Sequence, residues 1–198
     1  MTAELTLYTN PKSRGLIVQR MLEEIGQPYR KVVLEFGAPM RTPEFLALNP
    51  MGKVPVLVHG EAVVTEAAAI CAYLAEAFPK AGLAPKPEER ADYFRWMFFA
   101  AGPLEAVVTA RALGLEAPPE RRGMAGYGDF DTVVAALEGK LAGSDYVAGG
   151  RFTAADVYLG AQVVWGLMFK TLPPRPALVA YHDRLMARPA WVRANTPA

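Results

Sequence analysis

The sequence has few of the residues that usually carry redox or metal chemistry. It contains one cysteine, Cys71, and two histidines, His59 and His182, among 198 residues. A single cysteine excludes an internal disulfide, a Cys-x-x-Cys redox pair and a cysteine-rich zinc site. Neither histidine has a cluster of ligand residues near it, so we expect no metal. Cys71 lies among alanines and is interpreted as a small buried residue.

The chain also lacks a strong excess of charge. Its 21 basic and 20 acidic residues give a formal net charge of +1. Without a basic stripe, this balance argues against a nucleic-acid partner. No apolar run is long enough to span a membrane, and the N-terminus lacks the basic segment and apolar run of a signal peptide. We therefore expect a cytoplasmic protein without a membrane partner.

What the sequence does contain is a change of pattern along the chain. Over residues 1–78, strand and helix patterns alternate in the order β-α-β-α-β-β-α. The strands are expected at 4–8, 29–34, 55–58 and 62–64, and the helices at 14–25, 43–49 and 66–78. The first β-α-β unit predicts a parallel pair of strands, and the later hairpin predicts antiparallel strands. Gly26 is expected to end the first helix, and Thr42 and Thr65 are expected to cap the other two.

Residues 79–87 contain three prolines and one glycine, which is typical of a linker. The rest of the chain has helical patterns, beginning with a long helix that is expected to kink at Gly102-Pro103. The helices are expected at 88–113, 127–142, 154–171 and 176–187. The tail from Pro189 is expected to pack loosely apart from Trp191. The sequence thus predicts an α/β domain over 1–78, a linker, and an all-α domain over 88–198.

The segment from Asn49 to Leu57 (NPMGKVPVL) closely resembles the N-P-x-G-K-V-P-x-L signature of the glutathione transferases. That family has a thioredoxin-like N-terminal domain followed by an all-helical domain. The resemblance implies that Pro55 is cis and that the Val54 backbone pairs with the cysteinyl backbone of glutathione like an added strand. It also implies that Lys53 reaches the glycyl carboxylate. The residues alone leave open a trans Pro55 at an edge strand and a solvated Lys53.

The segment from Thr65 to Ile70 (TEAAAI) resembles the family's (S/T)-E-S-x-A-I motif. There the Glu and Ser at a helix N-terminus hold the γ-glutamyl end of glutathione, whose carboxylate meets free N–H groups. By this resemblance, Glu66 and Ala67 are glutathione-binding positions. Ala67 departs from the pattern, and the missing hydroxyl removes a hydrogen bond worth about 1.5–3 kcal/mol. From the residues alone, Glu66 can equally be a first-turn stabiliser of the helix.

The segment from Tyr8 to Gly15 (YTNPKSRG) joins the first strand to the first helix, where family members place a catalytic Tyr, Ser or Cys. Lowering the pKa of the glutathione thiol by about two units requires roughly 2.7 kcal/mol, which a hydroxyl donor at a helix N-terminus can supply. The resemblance implies that Ser13 stabilises the thiolate, although Ser13 can also be a plain helix cap. Asn10 is the second candidate, as an amide donor. The lack of a cysteine here argues against the omega and beta classes.

The segment from Ala148 to Asp156 (AGGRFTAAD) resembles a helical-domain box of the same family. Thr153 and Asp156 are predicted to form a capping box, which has a structural role. By the same resemblance, a small hydrophobic electrophile binds between the first domain and the early helices of the second. The candidate lining residues, each of which also fits plain core, are Pro103, Val107, Arg111, Trp165 and Phe169.

The sequence therefore predicts a glutathione transferase that activates the glutathione thiolate for attack on an electrophile. The family resemblance also implies that glutathione is the co-substrate and that the protein is a homodimer. The alternatives are a glutathione-dependent peroxidase or isomerase and a catalytically silent relative that serves as a binding module, for which Ala67 is an argument. A thiol-disulfide oxidoreductase is disfavoured by the missing cysteine.

Overall fold

A four-stranded mixed sheet forms the centre of the N-terminal unit in the computed structural model, which describes residues 4–195. Its elements are β1 (Leu5–Thr9), α1 (Gly15–Ile25), β2 (Arg30–Val33), α2 (Pro43–Leu48), β3 (Val56–His59), β4 (Ala62–Thr65) and α3 (Ala67–Ala77). The strand order is β2-β1-β3-β4, with β1 parallel to β2 and antiparallel to β3, and β3 antiparallel to β4. This is the thioredoxin-like fold that the sequence predicted.

The helix boundaries follow the predicted capping residues at two of three places. Gly26 ends α1 in a left-handed conformation with a φ of 67°, and the Thr42 side chain caps α2. Thr65 does not cap α3, because it is the last residue of β4 and pairs with Val56. The N-cap of α3 is instead Glu66. The strand therefore runs one step further than the capping pattern indicated.

Both faces of the sheet are covered by helices. The helices α1 and α3 pack together on one face. A separate cluster of buried side chains contains Phe45 of α2, Val56 of β3 and Met40 from the 3-10 turn before α2. Two half-buried side chains pack against that cluster, Tyr8 near the end of β1 and Val54 in the loop before β3. This packing fixes the loops that carry the sequence motifs.

The second unit, residues 85–188, is entirely helical. Its helices are α4 (Arg90–Phe99), α5 (Glu105–Ala112), α6 (Phe130–Ala142), α7 (Ala154–Met168) and α8 (Pro176–Met186). A π-helical turn over Ala100–Leu104 joins α4 to α5 and contains Gly102 and Pro103. Because Pro103 has no N–H to donate to the preceding turn, the wider turn accommodates its ring. The irregularity predicted at Gly102-Pro103 is thus a π turn.

The last described helix, α9 (Pro189–Asn195), packs on α1. Trp191 is completely buried, and the Arg20 guanidinium lies 4.5 Å from the centre of its ring. Arg193 donates from Nε to a Glu23 carboxylate oxygen at 3.0 Å. The prediction of a loosely packed tail is therefore wrong for residues 189–195.

The two compact units differ from the predicted domain boundaries. One unit contains residues 4–84 together with 189–195, and the other contains 85–188. The C-terminal helix thus groups with the sheet rather than with the helical domain to which the sequence assigned it. Across residues 4–195, none of the helices is long and apolar enough to cross a membrane.

Candidate active site

Three motif-bearing segments meet at one end of the sheet. Tyr8, near the end of β1, pairs with Val56 at the start of β3, and Val56 pairs with Thr65 at the end of β4. The turn after β1, the proline loop before β3 and the start of α3 therefore lie side by side. Sequence motifs far apart along the chain are thus brought to the same edge.

A groove of about 380 Å³ opens in this unit, and its wall includes three of the predicted site residues, Ser13, Lys53 and Val54. The remaining lining residues are Lys12, Arg14, Phe36, Gly37, Met40, Arg41 and Gly52. Over the whole wall, four side chains are cationic, namely those of Lys12, Arg14, Arg41 and Lys53, and none is acidic. Such a concentration of one sign of charge favours an anionic ligand.

The Ser13 hydroxyl lies at the start of α1 and has two hydrogen-bond partners within its own loop. It donates to the Asn10 carbonyl oxygen at 2.7 Å and accepts from the Gly15 N–H at 3.0 Å. The same carbonyl oxygen also accepts from the Ser13 N–H at 3.0 Å, so it keeps a partner when the hydroxyl turns toward a ligand. The Gly15 N–H meanwhile polarises the hydroxyl and makes it a better donor. The N-cap of α1 is Arg14, and Ser13, just before it, is a hydroxyl donor on the groove wall.

Gly15 allows α1 to begin directly against the end of β1. A side chain at Gly15 would overlap the Thr9 hydroxyl oxygen and would come within 3.1 Å of the Ser13 Oγ atom. Thr9 is itself buried, so it has little room to move away. The close approach therefore holds the Ser13 loop in place.

Asn10 is placed differently from Ser13. It is 3% exposed and is not part of the groove wall. Its side-chain amide donates to the Leu34 carbonyl oxygen at 2.8 Å, and its Oδ1 accepts from the Lys12 N–H at 2.9 Å. The residue ties the turn after β1 to the end of β2, and the structure does not bring its amide to the groove.

The Val54–Pro55 peptide bond is cis, as the resemblance implied. The preceding loop is held by Asn49, whose side-chain amide donates to the Lys53 carbonyl oxygen at 2.7 Å and whose Oδ1 accepts from the Met51 N–H at 3.1 Å. In the part of the chain that the structure describes, the Val54 N–H and carbonyl oxygen have no hydrogen-bond partner. An extended peptide lying in the groove can therefore pair with both groups.

The start of α3 also has vacant backbone donors. Glu66, its N-cap, has a φ of 63° and a ψ of 118°, and its side chain makes no capping hydrogen bond. The backbone N–H groups of Ala67, Ala68 and Ala69 donate to no acceptor among residues 4–195. Glu66 is exposed and Ala67 is almost completely buried. Neither residue lines the groove itself, but their donors lie at the same end of the sheet.

Sequence reasoning missed the contribution of the segment between β2 and α2. Arg41, Met40 and Phe36 line the groove, although no family motif marks them. The indirect signal is Gly52, which has a φ of 61° and whose missing Cβ would lie 2.8 Å from the Met40 carbonyl oxygen. The glycine of the proline loop thus lets the two segments approach.

The five predicted electrophile-pocket residues are not brought together within the helical unit. Pro103 lines one cleft, whereas Arg111 lines another. Val107 is 1% exposed and belongs to the core. Trp165 is half-buried and Phe169 is 67% exposed, and neither lines either cleft.

The single cysteine plays no part in this groove. Cys71 is completely buried in α3, and burial raises the pKa of its thiol well above the usual range. A thiol of this kind does not supply a reactive thiolate. Within residues 4–195, no group of three or more His, Cys, Asp and Glu side chains is placed to hold a metal ion.

The capping box predicted in the helical unit is confirmed. The completely buried carboxylate of Asp156 accepts from the Thr153 N–H at 2.9 Å and the Thr153 hydroxyl at 3.0 Å. It also accepts from the Val147 N–H at 2.8 Å and the Tyr181 hydroxyl at 2.9 Å. Four donors on one buried carboxylate make it a structural centre of this unit.

Comparison with known families agrees with this geometry. Residues 3–76 match the family model of the glutathione S-transferase N-terminal domain, and residues 125–189 match that of the glutathione S-transferase C-terminal domain. The two matches together span more than half of the chain and fall in the order that the fold requires.

Similar proteins come from several bacteria. The chain is 32% identical to glutathione S-transferase GstB of Escherichia coli K12, with 85% of this chain and 86% of that protein covered. It is 30% identical to the disulfide-bond oxidoreductase YfcG of the same strain, with 96% and 94% covered. A theta class glutathione S-transferase from Xanthomonas axonopodis pv. citri, solved with glutathione bound, matches with a TM-score of 0.77 at 30% identity, covering 100% and 99%. The chain therefore belongs to the glutathione S-transferase family.

Proposed function

We propose that the protein conjugates glutathione to a small hydrophobic electrophile and that the groove of the N-terminal unit binds and ionises the glutathione. One observation carries the proposal: Ser13, Lys53 and Val54 share a cationic groove, at the end of the sheet where α3 begins with vacant donors. A hydroxyl donor, a cation and an unpaired backbone edge are the three groups that the tripeptide requires.

The charges of glutathione match those of this end of the unit. The tripeptide carries two carboxylates and one ammonium group at neutral pH, so it is a net anion. Lys53 and Arg41 on the groove wall supply cations for the glycyl carboxylate. The vacant N–H groups at the start of α3 suit the γ-glutamyl carboxylate, and the exposed Glu66 carboxylate suits the ammonium. The Val54 backbone pairs with the cysteinyl unit between them.

Ser13 is the donor that this binding mode directs toward the sulfur. Turning the hydroxyl away from Asn10 gives up a neutral hydrogen bond worth about 1 kcal/mol, whereas a bond to a thiolate contributes about 1.5–3 kcal/mol. The N-terminus of α1 adds about 0.3–1 kcal/mol, and the cations of the groove add further stabilisation. These contributions are of the size needed to lower the pKa of the thiol by about two units. Asn10 then serves as a positioning residue that holds the Ser13 loop.

The test compares Ser13→Ala with Ser144→Ala, which removes a hydroxyl that donates to a backbone carbonyl in the helical unit. We expect Ser13→Ala to lower kcat/KM for 1-chloro-2,4-dinitrobenzene about 100-fold, because the thiolate loses a donor. Glutathione affinity, measured by calorimetry, should change only a few-fold. The pH profile of kcat/KM should shift upward, toward the pKa of free glutathione, in Ser13→Ala alone.

Other outcomes would redirect or reject the proposal. Unchanged turnover in Ser13→Ala would reject Ser13 as the thiolate donor and leave that role to the dipole of α1. An absence of heat on titration with millimolar glutathione would reject glutathione binding. Glutathione-dependent reduction of a small disulfide, with no conjugation of any electrophile, would favour an oxidoreductase instead.

We also propose that the protein works as a cytoplasmic homodimer, as the family resemblance implies. Sedimentation equilibrium over a range of concentrations tests the dimer. Fractionation of the source cells tests the location.

A further inference from the structure

A cleft with a volume of about 730 Å³ lies entirely in the helical unit. Its walls come from the end of α5, the start of α6, the loop after α7 and one side of α8. Apolar side chains form much of the wall, among them Phe130, Leu167, Met168, Leu172 and Val179. A cleft of this size with apolar walls and few polar groups is the usual form of a small-molecule site.

Four ionisable side chains also line this cleft, namely Arg111, Lys170, His182 and Asp183. His182 and Asp183 are hydrogen-bonded to each other, with Nδ1 and Oδ1 2.8 Å apart. The carboxylate of the cleft thus already has a partner. The two cations therefore determine which charged ligand the cleft can accept.

The Arg111 guanidinium is held in a fixed plane but makes only a weak ion pair. Its guanidinium lies 4.2 Å from the centre of the Phe130 ring, and this stacking fixes the plane of the group. Its ion pair with Glu116 is 3.7 Å long, and both side chains are more than half exposed. An exposed pair of this length contributes little, so a ligand carboxylate can take the place of Glu116 and bind the guanidinium edge with two hydrogen bonds.

Lys170 occupies a position where glycine is usual. Its φ is 60°, and it follows α7 in a Schellman motif, with the Thr171 N–H bonded to the Gly166 carbonyl oxygen at 2.8 Å. A side chain in this conformation is strained relative to glycine. In the described part of the chain, the Lys170 ammonium has no ion-pair partner. A strained lysine on the wall of a cleft indicates a side chain retained for what it binds.

The loop that carries Lys170 is held firmly in place. Leu172 is 3% exposed and lies so close to Gly166 that a Cβ there would overlap its side chain. Pro173 and Pro174 follow directly and also line the cleft. The wall is thus preformed, which lowers the entropic cost of binding.

We propose that this cleft binds a hydrophobic carboxylate, with its apolar body against Phe130, Leu167 and Val179 and its carboxylate held by Arg111 and Lys170. The site is formed by the helical unit alone and is separate from the glutathione groove. The inference therefore does not depend on the proposed transferase reaction.

The test uses the whole chain and two fluorescent probes, anthracene-9-carboxylate and its neutral analogue anthracene-9-methanol. The wild-type protein should bind the carboxylate at least about tenfold more tightly than the alcohol. Arg111→Gln should weaken carboxylate binding about 10- to 100-fold and leave alcohol binding unchanged. Arg121→Gln, which removes an exposed arginine outside the cleft, is the matched control and should have no effect.

Lys170→Gly separates ligand binding from folding, because its two expected effects have opposite directions. It should weaken carboxylate binding several-fold while raising the melting temperature, since glycine relieves the strained φ. Equal binding of the two probes, or equal carboxylate binding by Arg111→Gln and Arg121→Gln, would overturn the proposal. Complete displacement of the carboxylate by saturating glutathione would also overturn it, because the probe would then occupy the other groove.

Discussion

The N-cap residues of α3 and α7 are held in opposite ways. At the start of α7, the Asp156 carboxylate is completely buried and accepts hydrogen bonds from the Thr153 N–H and from three other donors. At the start of α3, Glu66 is exposed and makes no capping hydrogen bond. A first-turn carboxylate fixes the N-cap residue of α7, whereas no such bond holds the N-cap residue of α3.

The difference indicates where the chain gives up stability for binding. A missing N-cap costs about 1 kcal/mol, and a residue held at a φ of 63° and a ψ of 118°, as Glu66 is, costs about 1–3 kcal/mol. Both costs fall at the end of the sheet where the groove lies. At α7 the N-cap residue Thr153 has an extended backbone and both of its donors are bonded to Asp156. Local strain and vacant donors in the same place are typical of a binding site.

The start of α1 is intermediate between these two. The Ser13 hydroxyl accepts from the N–H of Gly15, the first residue of α1, and Ser13 also lines the groove. Its second bond, to the Asn10 carbonyl oxygen, duplicates one that the Ser13 N–H already makes. The hydroxyl can therefore change partner without leaving a buried acceptor unpaired.

Removal of the Asp156 carboxylate should have the largest effect on stability. We expect Asp156→Ala to lower the free energy of unfolding by about 3–5 kcal/mol, because it leaves several buried donors without a partner. For a chain of this length, that loss corresponds to a fall in Tm of roughly 10 °C. Thermal unfolding followed by circular dichroism measures it.

The matched control is Asp129→Ala, which removes the cap of α6. Asp129 is partly exposed and accepts from the Thr132 N–H at 2.9 Å, so water can replace it and the loss should be much smaller. Equal losses from the two substitutions would contradict the central role of Asp156. A folded Asp156→Ala protein that no longer bound glutathione would contradict its purely structural assignment.

Much of the fold could be predicted because its signals are local. Alternating apolar residues, Gly26, and the Thr42-Pro43 pair mark the elements of the first unit, and the Thr153–Asp156 spacing marks α7. The site could be located from three short motifs because strand order brings their ends together. Each of these signals is complete within a few residues.

What could not be predicted depends on contacts between distant segments. The largest buried side chain of α9 is Trp191, which lies against Arg20 of α1, and one aromatic residue in a short tail has no periodicity to detect. Arg41 reaches the groove only because its segment approaches Gly52. Aromatic residues at helical spacing indicate a buried face but not which cavity they line, so the electrophile residues stay predictions.

A hydroxyl added at the start of α3 should have the next largest effect, on the affinity for glutathione. We expect Ala67→Ser to tighten glutathione binding about tenfold, because the new hydroxyl supplies the charge-assisted donor that the family motif places there. Calorimetry with glutathione measures the change. The control is Ala69→Ser, which adds a hydroxyl to the same first turn at an exposed position and should leave the affinity unchanged. Equal tightening in both variants would mean that the hydroxyl acts only through the helix and not on the ligand.

The smallest expected effect tests whether the strain at Glu66 serves binding. Glu66→Gly should relieve about 1–3 kcal/mol of backbone strain in the folded protein. It should also lower the free energy of unfolding by about 0.5–1 kcal/mol, because glycine has a greater entropy in the unfolded chain. The net gain of about 1 kcal/mol should raise Tm by about 2–4 °C, while loss of the carboxylate should weaken glutathione binding about fivefold.

Lys170→Gly makes the same backbone change in the other unit and should raise Tm without altering glutathione affinity. If Glu66→Gly instead lowered Tm and left glutathione binding intact, its conformation would be a structural requirement of the strand-to-helix turn. The contrast between an N-cap residue fixed for folding and one shaped for a ligand would then fail at α3. The affinity of Glu66→Gly therefore decides between the two interpretations more directly than its stability.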